Sequence, residues 1–270
     1  MEKLHSDIES VRVLVSLFVQ KGIHHVVLSP GSRNAPLLVS IARERRLQHR
    51  VIVDERSAAF FALGMAQQSG EPVALACTSG TALLNYAPAV AEAYYQGVPL
   101  IVISADRPTE WIDQDDSQPI RQHDALNNFV KKSFQLPTAI TCEDERWQAN
   151  RMINEAINLS RLPRKGPVHI NIPLREPLYD FHQKTSHAER VIEATPVSHT
   201  LSANLLHELR REFTSSTGVM IIAGFQSPDP TLQQHIEQLA GFSNTVVLTE
   251  SVSWNNTKRS EIQFLKIWCL

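Results

Sequence analysis

The stretch Val51-Ile-Val-Asp-Glu55-Arg-Ser-Ala-Ala-Phe-Phe-Ala-Leu-Gly64-Met-Ala66 decides the fold. Residues 51–53 are apolar and read as a short buried strand. Asp54 and Glu55 stand at its carboxyl end. Ser57 reads as an N-cap, and residues 58–68 are alanine-rich and helix-favouring. A carboxylate pair therefore lies at a strand-to-helix switch, and in an open parallel sheet that edge is where ligands bind. The small residues Ala58, Ala59, Ala62, Gly64 and Ala66 allow another element to approach the helix closely. An isolated Asp-Glu pair is ordinarily a surface feature beside a capped helix, so the neighbouring junctions have to decide.

Upstream, Ser6 can cap a helix running to about Lys21, with Ile8, Val11, Leu14, Leu17 and Phe18 on one face and Gly22 closing it. Residues 23–28 are the first strand, residues 29–34 a turn, and Pro36 begins a helix that ends in a solvated charge run at 43–46. Downstream, residues 73–77 form a buried strand, followed by a helix over about 82–96 that Pro88 kinks and Gly97 ends. A strand over 98–103 leads into a long polar segment at 111–118. Long polar loops in compact domains are often functional. A short helix near 123–131, a strand near Phe134, a helix over about 144–161 and a last strand over 166–173 complete the run. Apolar strands alternating with helices predict an α/β fold, a parallel sheet with helices on both faces.

Residues 1–180 read as this domain and residues 181–199 as a polar, aperiodic linker. Residues 200–270 open a second α/β domain with helices over 201–213 and 231–239 and strands over 218–224 and 245–248. That unit is short for a doubly wound domain. From Trp254 no clear element follows.

The 270 residues carry a formal charge of −2 and 43% hydrophobic residues, enough for a core and no field for nucleic acid or a polybasic membrane contact. Cys77, Cys142 and Cys269 are widely spaced, form no metal-ligand set, and fit a reducing cytoplasm. The first residues show no signal-peptide pattern, and no apolar run is long enough for a membrane span. The histidines show no ligand spacing, so no metal-ligating residue is expected.

Four strands end in tight polar turns, at 29–34, 54–57, 78–81 and 104–108. In a parallel sheet all four lie on one edge. They offer Arg33 and Arg107, either able to grip a carboxylate bidentately, the Asp54–Glu55 pair, and small residues that expose backbone N–H groups. This points to a small anionic ligand. No GxGxxG or GxxxxGK[ST] pattern marks a nucleotide-phosphate loop.

Five motifs carry a resemblance: Ser29-Pro-Gly-Ser-Arg-Asn-Ala-Pro-Leu37, Asp54-Glu-Arg-Ser-Ala58, Thr78-Ser-Gly-Thr-Ala82, Ala105-Asp-Arg-Pro108 and Ile120-Arg-Gln122. In this order they resemble the menaquinone-pathway branch of the thiamine-diphosphate-dependent enzymes, over about the first 180 residues. The stretches His169-Ile-Asn-Ile-Pro173 and Glu176-Pro-Leu178 resemble the end of that family's N-terminal domain. The resemblance implies a pyrimidine-binding domain at 1–180 and part of a central domain at 200–270. The family's third, diphosphate-binding domain, marked by a Gly-Asp-Gly, finds no counterpart, and the tail from Trp254 resembles the end of a truncated frame.

The same resemblance implies thiamine diphosphate and Mg²⁺ as cofactors, and 2-oxoglutarate and isochorismate as substrates. It makes Glu55 the catalytic glutamate that hydrogen-bonds the aminopyrimidine, and places Thr78, Ser79, Gly80 and Thr81 along that ring. Ser32, Arg33, Arg107 and Gln118 become substrate contacts, and Asp54 stays structural. A homo-oligomer is implied, with the helix over 58–66 and the helix bearing Leu83, Tyr86, Val90 and Tyr94 as packing faces. By itself the chain is expected to be inactive. Two further readings are a non-catalytic anion-binding or regulatory module and a non-functional fragment.

Overall fold

The apolar runs pair as parallel strands. The computed structural model describes residues 4–182, 188–197, 200–224, 229–249 and 263–264. The chain divides into two units, Met1–Val197 and Ser198–Leu270.

In the first unit the elements run α1 (Glu9–Gln20), β1 (His25–Leu28), α2 (Ala35–Arg43), β2 (Gln48–Val51), α3 (Glu55–Ser69), β3 (Val73–Cys77), α4 (Ala82–Asn85), α5 (Ala87–Gln96), β4 (Leu100–Asp106), β5 (Ser133–Gln135), α6 (Glu143–Arg161) and β6 (Val168–Pro173). The six strands form one sheet in the order β2-β1-β3-β4-β6-β5, every pair parallel. Alternate residues of β3 and β4 point into two separate cores. Ala74, Ala76, Ile101 and Ile103 pack with α1 and α6 through Val11, Leu14, Phe18, Ile153 and Ile157. Val73, Leu75, Leu100 and Val102 pack with α3 and α5 through Ala58, Ala62, Val90 and Ala93. Each fully buried Val, Leu, Ile or Phe side chain contributes roughly 1.5–3 kcal/mol. Burial on both faces explains why these strands are continuous apolar runs.

The structure moves the second strand. It covers Gln48–Val51 rather than 51–53, and its residues are mostly exposed. β2 is the sheet's edge strand, paired only to β1, so nothing packs on its outer side and Val51 and Val53 face solvent. The helix after it begins earlier than expected, and its cap is Asp54, not Ser57: the Asp54 Oδ1 accepts from the Ser57 N–H at 2.7 Å. The kink at Pro88 is a break: α4 and α5 meet at Tyr86, with Pro88 in the first turn of α5. The short helix expected near 123–131 is a single 3₁₀ turn, Asn127–Phe129. The charge run at 43–46 is only partly solvated, because Glu44 is buried and held by Arg46 at 2.9 Å through both carboxylate oxygens.

Most residues of the two expected packing faces are core, while Gly64 and Tyr94 are exposed. Leu83, Tyr86 and Val90 are fully buried, as are Ala58, Ala59 and Ala62. The exposed aromatics of α3 are Phe60 and Phe61, on the opposite side of the helix. Residues 188–193, within the expected linker, are laced to the first unit. Asn154 Nδ2 donates to the Arg190 carbonyl at 3.0 Å, and Lys21 Nζ donates to the Ile192 carbonyl at 2.9 Å.

The second unit contains α7 (Ala203–Ser215), β7 (Val219–Ala223), α8 (Pro230–Ala240), β8 (Thr245–Thr249) and β9 (Gln263–Phe264). Its strands are parallel in the order β7-β8-β9, over a small core of Ala223, Ile236 and Val247. In the tail, expected to hold no element, Gln263–Phe264 pairs with β8. The rest of the tail lies outside the described residues.

Candidate active site

Parallel pairing of β2, β1, β3 and β4 as neighbours puts all four junctions side by side on the carboxyl edge of the sheet. The first and third approach so closely that a Cβ on Gly31 would lie 2.4 Å from the Thr78 Cβ, which makes glycine obligatory there. Gly80 has φ +92 and sits against the Gln118 carbonyl, 2.6 Å from where its Cβ would be.

At one end of this edge stands Glu55, the first residue of α3. Its neighbour Asp54 is used as the helix cap. Glu55 is half-buried, and among the described residues no hydrogen-bond or ion-pair partner holds its carboxylate. Behind it lie Cys77 and Tyr86, both fully buried. Burial pushes the Cys77 thiol up, and the charge of Glu55 adds to that. Burial also raises the Tyr86 hydroxyl, which donates to Ser29 Oγ at 3.1 Å. Burial thus keeps both of these groups neutral behind the Glu55 carboxyl.

At the other end Arg33 and Arg107 line a cavity of about 380 Å³ with Pro108, Trp111, Asp116, Arg175 and Glu176. Both guanidiniums are largely buried and fixed by neutral acceptors. Arg33 NH1 donates to the Leu174 carbonyl at 3.1 Å, and Arg107 NH1 donates to Ser79 Oγ. Each also meets one carboxylate at 3.3 Å, Arg33 with Glu176 and Arg107 with Asp116. Burial lowers the Arg33 pKa, and the like charge of Arg107 lowers it further, against Glu176 and Asp116.

Behind the arginines runs a buried polar network. Gln122 Oε1 accepts from the Gly80 N–H at 2.6 Å, and its Nε2 donates to the Ala105 carbonyl at 3.1 Å and to Asn171 Oδ1 at 3.0 Å. Asn171 Nδ2 donates to Asp106 Oδ2 at 2.8 Å, while Asp106 Oδ1 accepts from the Arg107 N–H. Burial raises the Asp106 carboxyl, opposed by the hydrogen bond from Asn171. Ser104 Oγ donates to Asn171 Oδ1 at 2.6 Å and lies 2.8 Å from His169 Nε2. This chain fixes the 78–81 and 104–107 turns against each other.

The structure thus gathers Arg33, Arg107, Ser79 and Gln118, whose Nε2 donates to the Ser79 carbonyl at 3.3 Å. It places Glu55 on the outer junction, and leaves Ser32 and Thr81 exposed on the same edge. One expectation fails in part: three of the small turn residues use their N–H groups within the protein. Gly31 donates to Asn34 Oδ1 at 2.9 Å, Gly80 to Gln122 and Ser57 to Asp54. Gln122, Asp116 and Glu176 were missed as site residues. Gln122 lay in a quoted motif, and the alternation of His169 and Asn171 with apolar residues along β6 was the available sign of a buried polar row.

Known proteins are similar at the level of both sequence and fold. Residues 9–126 match the family "Thiamine pyrophosphate enzyme, N-terminal TPP binding domain". The chain is 48% identical over 253 residues to the 2-succinyl-5-enolpyruvyl-6-hydroxy-3-cyclohexene-1-carboxylate synthase of Porphyromonas gingivalis, covering 94% of this chain and 44% of that protein. It is 44% identical over 241 residues to the synthase of the same name from Cytophaga hutchinsonii, covering 88% of this chain and 43% of that one. The chain therefore spans under half the length of these curated relatives. In fold it is similar to the thiamine diphosphate-dependent 4-hydroxybenzoylformate decarboxylase of Rhodococcus jostii, with a TM-score of 0.67 at 20% identity, over 89% of this chain and 44% of that one. Over residues 9–126 the chain thus matches the N-terminal domain of the thiamine pyrophosphate enzyme family, and the curated relatives extend the likeness over most of its length.

Proposed function

We infer that this chain is the pyrimidine-binding portion of a synthase that decarboxylates 2-oxoglutarate and joins the remainder to isochorismate. The observation that carries the reading is Glu55: a half-buried carboxylate without a hydrogen-bond or ion-pair partner among the described residues, beside a neighbour that serves as the cap. Its place at the sheet edge fits the pyrimidine half of thiamine diphosphate, since a carboxylate there can accept a strong hydrogen bond at N1′ and steady a protonated ring. Thr78, Ser79, Gly80 and Thr81 form the adjacent junction. Among the described residues no group of three or more His, Cys, Asp or Glu could hold a metal ion. By the family resemblance, Mg²⁺ and the diphosphate are held by the diphosphate-binding domain.

When bound, thiamine diphosphate supplies the electron sink for decarboxylation of a 2-oxo acid and for joining its carbon to an acceptor. The protein binds and orients. Arg33 and Arg107 take substrate carboxylate, Ser79 holds Arg107 in place, and Gln118 and Ser32 are further substrate contacts. Residues 1–180 form the pyrimidine-binding domain, 181–199 a linker and 200–270 part of a central domain. Phe60 and Phe61, each 46% exposed on α3, support self-association. Free Cys77 and Cys142 fit a reducing cytoplasm, and no helix among the described residues is long and apolar enough to cross a membrane.

The test is a chimaera in which residues 1–180 replace the matching part of a full-length relative. It should form the product, and Glu55→Gln in it should lower kcat by about 10²–10⁴-fold. Undiminished kcat in that variant would contradict the assignment.

A further inference from the structure

We propose that Asp116 and Glu176 are displaceable counter-ions, which neutralise Arg107 and Arg33 until a carboxylate ligand enters the cavity and takes their places. The inference rests on the reading of that cavity as the acid-binding part of the site. Arg33 lies near enough to Arg107 for that charge to disfavour its own, and each side chain is only 11% exposed. Two such charges need compensation whether or not a ligand is present.

The bonds that fix the two guanidiniums differ in kind from those that neutralise them. Orientation comes from neutral groups of the body of the domain, the Leu174 carbonyl and Ser79 Oγ. Neutralisation comes from two single contacts at 3.3 Å, to side chains that are themselves 72% exposed for Glu176 and 39% exposed for Asp116. Neither contact is bidentate, and either carboxylate can swing into water at small cost. An entering carboxylate that meets a guanidinium bidentately makes the better pair. Arg175 at the rim is already paired with Glu110, so release of Asp116 and Glu176 leaves two cations, Arg33 and Arg107, to match the two charges of a dicarboxylate.

Succinate is the probe, because it carries two carboxylates and has no keto group to react. Its affinity is measured by calorimetry on the full chain for wild type, Asp116→Asn, Glu176→Gln and Asp113→Asn. Asp113 is the control: it lies on the same segment, pairs with Arg121 at 2.9 Å, and does not line the cavity. Asp116→Asn and Glu176→Gln should each bind succinate about two- to fivefold tighter than wild type, the span that loss of one weak competing pair allows. Asp113→Asn should bind as wild type does. Unchanged or weaker binding by both variants, with wild type binding, overturns the proposal while leaving the acid-binding reading intact. An equal gain in Asp113→Asn overturns it too, since charge alone would then explain the effect. No succinate binding by any of the proteins overturns the acid-binding reading and the proposal with it. In the wild-type chain, saturating succinate should also move the carboxylate ¹³C signals of Asp116 and Glu176 towards their free values. Signals that stay put at saturation contradict the displacement even if a variant fails to fold.

Discussion

The two ends of the sheet edge solve opposite problems. At the β2 end a carboxylate has no partner among the described residues, and what stands behind it is apolar or neutral: Cys77, Tyr86 and the Ala58–Ala62 side of α3. At the β4 end two arginines are fully engaged, and what stands behind them is a polar network through Gln122, Asn171, Asp106 and His169. The contrast follows from desolvation. One half-exposed carboxylate can wait for a ligand without support, whereas two buried cations side by side cannot. The β2 end is thus poised for a new bond, and the β4 end for an exchange of bonds.

If the ends differ in this way, they should differ in how stability responds to isosteric change. Gln122→Leu leaves the Gly80 N–H, the Ala105 carbonyl and Asn171 short of a partner inside the protein. It should cost about 3 kcal/mol in urea unfolding. Glu55→Gln should cost less than about 0.5 kcal/mol, because no hydrogen bond or ion pair among the described residues is lost. Equal costs would erase the comparison.

A pH titration sharpens it further. His169 is fully buried between Ser104 and Ser133, and burial, with a smaller contribution from His123, lowers its pKa from 6.5 to about 3. The folded pKa lies below the unfolded one, so between them the unfolded chain binds the extra proton. The contribution of neutral His169 is present above the unfolded pKa and is lost as pH falls from there towards the folded one, about 2 kcal/mol between neutral pH and pH 5. Asp106, whose carboxyl is raised by burial, acts in the opposite sense. Unfolding free energies at the two pH values should therefore show a smaller acid loss in His169→Asn than in wild type. An identical loss would remove His169 as its source.

Much of this was legible in the sequence where one residue type answers to one local demand. Apolar runs at β3 and β4 read directly as doubly covered strands, and Gly22, Gly70 and Gly97 close helices or turns with φ of +66, +69 and +68. The position of Glu55 at a strand-to-helix switch was also readable. What was not legible depended on partners far along the chain. Residues 51–53 look buried by composition, yet strand order makes β2 an edge. Leu83, Tyr86 and Val90 look like an interface, yet α4 and α5 turn them into the core. Glu176 meets Arg33 only because β6 lies beside β4, a pairing that no local pattern announces.

The central proposal, that this chain presents the pyrimidine site through Glu55 while another domain holds the diphosphate and Mg²⁺, is tested most directly by titrating thiamine diphosphate into the full chain with and without Mg²⁺. Immobilising the cofactor costs about 4 kcal/mol or more, and one strong hydrogen bond with ring contacts offsets little beyond that. The expected result is weak binding, roughly millimolar, indifferent to Mg²⁺, with backbone NMR shifts confined to residues 54–57 and 78–81 and absent in Glu55→Gln. Micromolar, magnesium-dependent binding, or shifts that persist in Glu55→Gln, would contradict it.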